Sequence, residues 1–182
     1  MEIKIIGEKI NLRTLHRSDA HSLYRHARNK EISRYTLIPH PYRIEHSYKF
    51  IRDTHKWRRQ GSTISFGIEQ KETGNIIGMI SLMRLDKVNH SGEVGYWLGK
   101  KFWGKGFTLE AIHLVCRYGF RDLKLHRIHA RVLHPNLASA KLLEKAGFRL
   151  EGRHRQTCFH HRRWLDDLFY ALLKEEFHFW GN

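Results

Sequence analysis

The chain is poor in cysteine, proline and acid. Its two cysteines, Cys116 and Cys158, form no C-x-x-C pair and no disulfide framework, which excludes a small disulfide-stapled fold and fits a reducing, cytoplasmic setting. Three prolines, Pro39, Pro41 and Pro135, are too few for a long linker. With no repeat or low-complexity segment, one domain over residues 1–182 is expected. No apolar run approaches the roughly 20 residues of a membrane span, and the opening MEIKIIGEKI is too short and too charged for a secretory leader. Acid is scarce too: 18 Asp+Glu stand against 33 Lys+Arg, a net charge of +15. What is present is apolar material, with 41% hydrophobic and 12% aromatic residues despite a mean hydropathy of −0.58. That suffices for a core and excludes a disordered basic tail. The charge points to anionic partners without saying which.

Local pattern predicts a mixed α/β chain. A strand is expected near Lys9–Leu15, then a helix N-capped by Ser18 and running to about Lys30. Leu37–Arg43 is a loop. A second helix spans Glu45–Arg59, stopped by Gly61. Alternating Ile64, Phe66 and Ile68 give a strand, Glu72-Thr73-Gly74-Asn75 a hairpin turn, and Ile76–Leu85 the return strand, with Gly78 a candidate bulge. Further strands are expected at Gly92–Leu98, Arg127–Leu133, Phe148–Gly152 and Leu165–Leu173. Helices are expected at Phe107–Phe120 and Asn136–Ala146. The order β-α-α-β-β-β-α-β-α-β-β describes one mixed sheet carrying helices.

The most informative stretch is Glu93–Thr108, EVGYWLGKKFWGKGFT. It is a strand, a loop with Gly99, Gly104 and Gly106, and then an amphipathic helix. Glycine lets backbone approach a ligand closely, and the free N–H groups opening the next helix make a seat for phosphate. Lys100, Lys101 and Lys105 add positive charge. The stretch just misses G-x-x-x-x-G-K-(S/T), because Gly106 stands where the metal-binding hydroxyl belongs. It fails G-x-G-x-x-G as well.

The same residues resemble the GNAT acetyltransferases, which carry (Q/R)-x-x-G-x-(G/A) between strand and helix. Here the pattern is Lys101-Phe102-Trp103-Gly104-Lys105-Gly106, with lysine at the first position and Thr108 where an alanine is common. GYWLGKKFWGKG, the downstream His134–Ala140 and KLLEKAGFRLEG, the terminal DDLFYALLKEE and the opening INLRTLHRSDA look like the RimJ/RimL branch, acetylases of ribosomal-protein N-termini. The similarity runs from Ile10 to Glu176. It implies the acyl-CoA N-acyltransferase fold: a mixed, mostly antiparallel sheet with splayed middle strands and flanking helices. It also implies acetyl-CoA as co-substrate, held by Trp97, Leu98, Lys101, Phe102, Trp103, Gly104, Lys105, Gly106, Phe107, Thr108, Asn136 and Ser139.

Acetyl transfer to an amine needs a neutral amine, a polarised carbonyl and a proton for the departing thiolate. Glu93 is the base candidate, since Glu93, Gly95 and Trp97 share one strand face and Gly95 leaves room beside the carboxylate. A backbone N–H near Trp97 or Leu98 would polarise the carbonyl. Ser139, one turn after Asn136, is the candidate proton donor or packs beside the cofactor arm, while Asn136 caps its helix. Some relatives carry a glutamate about where Cys158 falls, so the base here is Glu93, a histidine, or a group suited to another acceptor.

Fifteen histidines raise the question of metal, but none falls in H-E-x-x-H, and adjacent His160 and His161 would face opposite sides of a strand. No metal is expected. Arg153–Arg163, RHRQTCFHHRR, is a cationic rim or solvated strand, with nucleic-acid contact as the sharper alternative. Cys116 belongs to the core. Tyr35, Tyr48 and Trp57 line an acceptor pocket or pack. The resemblance favours a protein N-terminal α-amine as acceptor, with ribosomal contact through the basic surface and a monomeric or homodimeric state. The alternatives are a small-amine (polyamine or antibiotic) acetyltransferase and a non-catalytic ribosome- or nucleic-acid-binding module.

Overall fold

A computed structural model describes residues 2–178. Eight strands form one sheet: β1 (Lys4–Ile6), β2 (Ile10–Arg13), β3 (Ile64–Gln70), β4 (Ile76–Asp86), β5 (Ser91–Leu98), β6 (Arg127–Leu133), β7 (Arg149–His160) and β8 (Arg163–Leu173). Their spatial order is β1-β2-β3-β4-β5-β6-β8-β7. Every neighbouring pair is antiparallel except β5 and β6. The helices are α1 (Ala20–Ala27), α2 (Lys30–Ser33), α3 (Ile44–Arg59), α4 (Phe107–Arg121) and α5 (Leu137–Lys145). No helix among the described residues is long and apolar enough to cross a membrane.

Alternation decides which face each strand buries. Ile64, Phe66 and Ile68 point with Ile10, Leu12, Ile80 and Leu82 into a core under α4, where Ile112, Val115 and Cys116 meet them. The opposite face of β4 sends Ile76 and Met79 toward Leu15, Leu23 of α1 and Ile51 of α3. The amino-terminal half of the sheet is therefore covered on both sides. Each fully buried Leu, Ile or Phe contributes roughly 1.5–3 kcal/mol. The Ile68/Glu69 bulge stands opposite Gly78, where a Cβ would lie 2.4 Å from the Trp97 carbonyl oxygen. Only glycine lets β4 and β5 come this close.

The sequence expectations need five corrections. A three-residue strand, β1, precedes the first expected one. The first helix is not capped by Ser18: a short 3-10 turn covers Arg17–Asp19, Asp19 is the N-cap residue of α1, and the Asp19 carboxylate accepts the His16 N–H at 2.7 Å. The helix stops at Ala27, and Asn29 caps a separate short α2 by accepting the Glu31 N–H at 3.0 Å. The strand expected to end at Gly152 continues to His160. His161 and Arg162 form the hairpin turn with left-handed φ of 47° and 62°. His160 and His161 therefore do not face opposite ways; their rings meet edge-on with centroids 4.2 Å apart.

Candidate functional site

Parallel pairing between β5 and β6 lasts only from Ser91–Glu93 to Arg127–His129. Beyond it both strands continue, to Leu98 and Leu133, without pairing to each other. A wedge opens between them. The Gly99 N–H donates to the Ile77 carbonyl at 2.8 Å, and β5 pairs in regular register with β4 from Gly78↔Leu98 to Met83↔Glu93. With a two-residue repeat, Trp97 and Gly95 also turn their amides to β4, whereas Tyr96 and Leu98 turn theirs to the wedge. Of the two amides expected to meet a carbonyl, Leu98 has the available donor. The Leu98 carbonyl on that edge accepts the Trp103 indole N–H at 2.6 Å.

The head of the wedge is the glycine loop. Gly104 and Gly106 hold φ of 73° and 83°, and nothing of the protein lies within 4 Å of where their Cβ atoms would stand. Gly106 is the N-cap of α4 and offers no side-chain cap. The first helical bond runs from the Glu110 N–H to the Gly106 carbonyl at 3.1 Å, so the turn Phe107–Leu109 opens with amides that helix geometry leaves free. This backbone suits a pyrophosphate. Phe102 is buried beneath the loop, with the Lys101 ammonium 4.9 Å and the Lys105 ammonium 6.0 Å from its ring centre. Thr108 follows in the first turn. Glu110 faces away: its carboxylate accepts the Glu8 and Lys9 amides at 2.5 and 3.0 Å.

One wall of the wedge joins two hydroxyls. Tyr96 Oη lies 2.9 Å from Ser139 Oγ, and burial pushes the phenol up to about 12. Ser139 is fixed by the N-cap of α5, where Asn136 Oδ1 accepts the Ser139 N–H at 3.2 Å. The sequence reading missed Tyr96, although its parity on β5, opposite to Glu93, already turned it to the α4 side.

The floor lies where pairing ends, on the other face. Glu93 is 6% exposed. Its carboxylate bonds the Arg84 guanidinium, accepts from Arg131 Nε at 3.3 Å, and stands 3.7 Å from His129 Nε2. Burial pushes this carboxyl up, but the His129 contact and the Arg131 and Arg84 charges outweigh it and hold the group at about 2. Arg131 reaches on to buried Asp167 at 3.9 Å, which accepts from the Thr157 hydroxyl at 3.1 Å. Cys158 is half-buried, its thiol pushed up by burial and by Asp167. Arg84, His129, Arg131 and Asp167 escaped the sequence reading. Strand parity was the available signal, since His129 and Arg131 alternate on β6.

The remaining aromatic and cationic candidates make other contacts. Tyr48 is half-buried beside α1, under the Arg17 guanidinium at 4.7 Å, and Trp57 packs edge-on to Phe50 at 6.1 Å. Tyr35 meets Arg34 at 5.1 Å. Cys116 is fully buried core. Arg153–Arg163 spans an exposed edge strand and hairpin tip, where Arg153 pairs with Asp166 at 2.6 Å and the His160 ring meets the Ser33 and Arg34 carbonyls at 3.2 and 3.1 Å. Among the described residues, no group of three or more His, Cys, Asp or Glu is arranged to hold a metal ion.

Known proteins resemble this chain in sequence and fold. The acetyltransferase (GNAT) domain family matches residues 9–149. An uncharacterized N-acetyltransferase of Bacillus licheniformis, p20, is 33% identical over 170 residues, 93% of this chain and 96% of its own. The ribosomal protein uS5-alanine N-acetyltransferase of Escherichia coli is 30% identical over 182 residues, 94% of this chain and 91% of its own. RimL, a ribosomal L7/L12 α-N-protein acetyltransferase solved in complex with coenzyme A, superposes with a TM-score of 0.85 over 94% of this chain and 98% of its own. At 18% identity that likeness concerns the fold alone.

Proposed function

Because this chain belongs to the GNAT acetyltransferase family and is an N-acetyltransferase, we propose that it acetylates a protein N-terminal α-amine with acetyl-CoA. The observation that carries the reading is the wedge between β5 and β6, headed by Gly104 and Gly106 at the start of α4. When bound, acetyl-CoA supplies an activated acetyl thioester. The amides of Gly104–Thr108, with Lys101 and Lys105 beside them, hold its phosphates; Phe102 and Trp103 shape that turn. Along the wedge, the Leu98 amide faces the thioester carbonyl, and Trp97 keeps β5 paired to β4. Asn136 sets the position of Ser139, whose hydroxyl serves as proton donor to the departing thiolate.

Glu93 fits the part of base poorly. A carboxylate held at about 2 is several orders of magnitude too acidic to take a proton from an α-amine titrating near ~7.7–8.0. In this reading Glu93 is a positioning residue that organises Arg84, Arg131 and His129.

A protein N-terminus is favoured as acceptor by the uS5-alanine N-acetyltransferase relative. It is favoured too by a net charge of +15, which repels a polyamine and attracts ribosomal RNA around a ribosomal-protein acceptor. The test is thiol release from acetyl-CoA with peptides beginning Ala, Ser or Met, with spermidine, and with an aminoglycoside. At least one peptide should exceed both small amines about tenfold in kcat/KM, with the acetyl group found on its α-nitrogen. Turnover confined to the small amines would move the acceptor to that class, and no thiol release with any amine would sink the reading.

A further inference from the structure

We propose that His129 is the general base of this acetyltransferase, oriented by Glu93. The inference rests on the proposed acetyl transfer and assigns a group for its first proton. His129 and Glu93 are register partners at the last pair before β5 and β6 part, so the ring stands where the wedge narrows, on the open face of the sheet, the side from which an acceptor amine would enter. Exposure separates the two groups. The Glu93 side chain is 8% exposed and the His129 side chain 24%. Both carboxylate oxygens are already engaged, Oε2 by Arg84 and Oε1 by Arg131. The imidazole presents an edge to solvent.

Charged groups face the ring from the neighbouring strands. From β5 it faces Glu93, 3.7 Å from Nε2. Arg127 and Arg131 flank it on β6, with Arg131 at 3.3 Å from Glu93. Arg84 approaches the same carboxylate from β4. Glu151 of β7 feels the charge of His129 but is paired with Arg127. The β8 residue in register with His129 is Ala171, which carries no charge. Anion and cations thus surround a ring of the one residue type that ordinarily titrates near ~6.5.

With Nε2–H turned to Glu93, Nδ1 holds the lone pair. The ammonium N–H bond of the acceptor breaks, an Nδ1–H bond forms, and the freed nitrogen lone pair attacks the carbonyl carbon. As the C–N bond forms and the C–S bond breaks, the thiolate takes the Ser139 hydroxyl proton. The second proton shed by the nitrogen restores Ser139, and the proton on His129 leaves to solvent. One amine cation and one thioester give one amide, one thiol and one proton.

The experiment measures kcat/KM against pH for wild type, His129→Gln and Glu93→Gln, using the peptide the wild type turns over best. Wild type should show an ascending limb in the histidine range. His129→Gln should lose that limb and fall about 20-fold at pH 7, where only about a tenth of an α-amine is neutral, with KM for acetyl-CoA within about twofold. Above pH 9, where the amine is already neutral, it should recover to within a few-fold of wild type, which a folding defect would not allow. Glu93→Gln removes the anion beside the ring and should move the limb to lower pH. An unchanged limb in an active His129→Gln enzyme overturns the assignment, as does a loss that persists above pH 9. A wild type that turns over no amine overturns the transfer reading itself, before any variant is compared.

Discussion

The two halves of the sheet are built differently. From β2 to β4 both faces are covered, by α4 on one side and by α1 and α3 on the other, and most β3 and β4 side chains are buried. Across β6, β8 and β7 the apolar packing lies on the α4–α5 side. The opposite face carries Glu93, His129, Arg131 and Asp167 in a chain of ion pairs. Apolar packing holds the first half, and compensated charge organises the exposed face of the second. The proposed chemistry sits on the seam, where a rigid strand borders a face that tolerates polar side chains. Charge can gather there without weakening the core, because unpaired buried charge is costly and here the cations converge on one carboxylate.

The largest effect should come from breaking the packed half at its seam. Gly78→Ala would drive a Cβ to 2.4 Å from the Trp97 carbonyl oxygen and 2.9 Å from Leu98 Cα. Neither atom can move without displacing β5. Denaturant unfolding should show a loss of about 3 kcal/mol or more, together with weakened acetyl-CoA binding.

Acid should separate the halves next. Burial, with Lys101 and Arg25 nearby, lowers His26 in α1 to about 4. Its folded value lies below the unfolded one of ~6.5. The unfolded chain therefore binds the extra proton first, and stability falls as pH drops from about 6.5 to 4. Glu93, held at about 2, also lies below its unfolded value of ~4.3. Its contribution is complete above that value and is lost as pH falls toward 2. Melting temperature against pH should decline in two stages. His26→Gln should shrink the upper stage, to which buried His113 also contributes, and Glu93→Gln the lower, which Glu69 shares. A single stage, or stages unmoved by these substitutions, would contradict the division.

The smallest effect concerns the wall of the wedge. Tyr96→Phe removes one hydroxyl from the 2.9 Å pair with Ser139. It should cost about 1 kcal/mol, or roughly 2–4 °C in melting temperature for a chain of this size. Loss of a few-fold in kcat at unchanged KM for acetyl-CoA would accompany it if the pair aims Ser139 at the thiolate.

Legibility in the sequence follows the same division. Arg127–Leu133, the Glu72–Asn75 turn and the Asn136 cap were readable because each signal is local: period two, a turn glycine, a capping side chain. The glycine loop was readable for the same reason. The full length of β7 was not. As an exposed edge strand with charged and polar residues on both faces, RHRQTCFH shows no alternation to find. Three-residue β1 is too short to show a period. Least readable was the floor of the wedge. Arg84, Glu93, His129 and Asp167 come from four strands, and no local pattern ties them. Glu93 was legible because it shares a strand face with Gly95, whereas its cationic partners, drawn from other strands, were not.

Glu110 ties the first strands to this chemistry. An acid in the first turn of α4 would ordinarily repel a phosphate arriving at that helix. Here its charge is directed onto the backbone amides of Glu8 and Lys9, against Gly7, where a Cβ would stand only 2.3 Å from Oε1. The turn between β1 and β2 thus acts as a counterweight, drawing a negative charge off the anion seat and steadying the helix from behind. Altering the chain around Gly7, far from the wedge in sequence, would be felt at the first turn of α4.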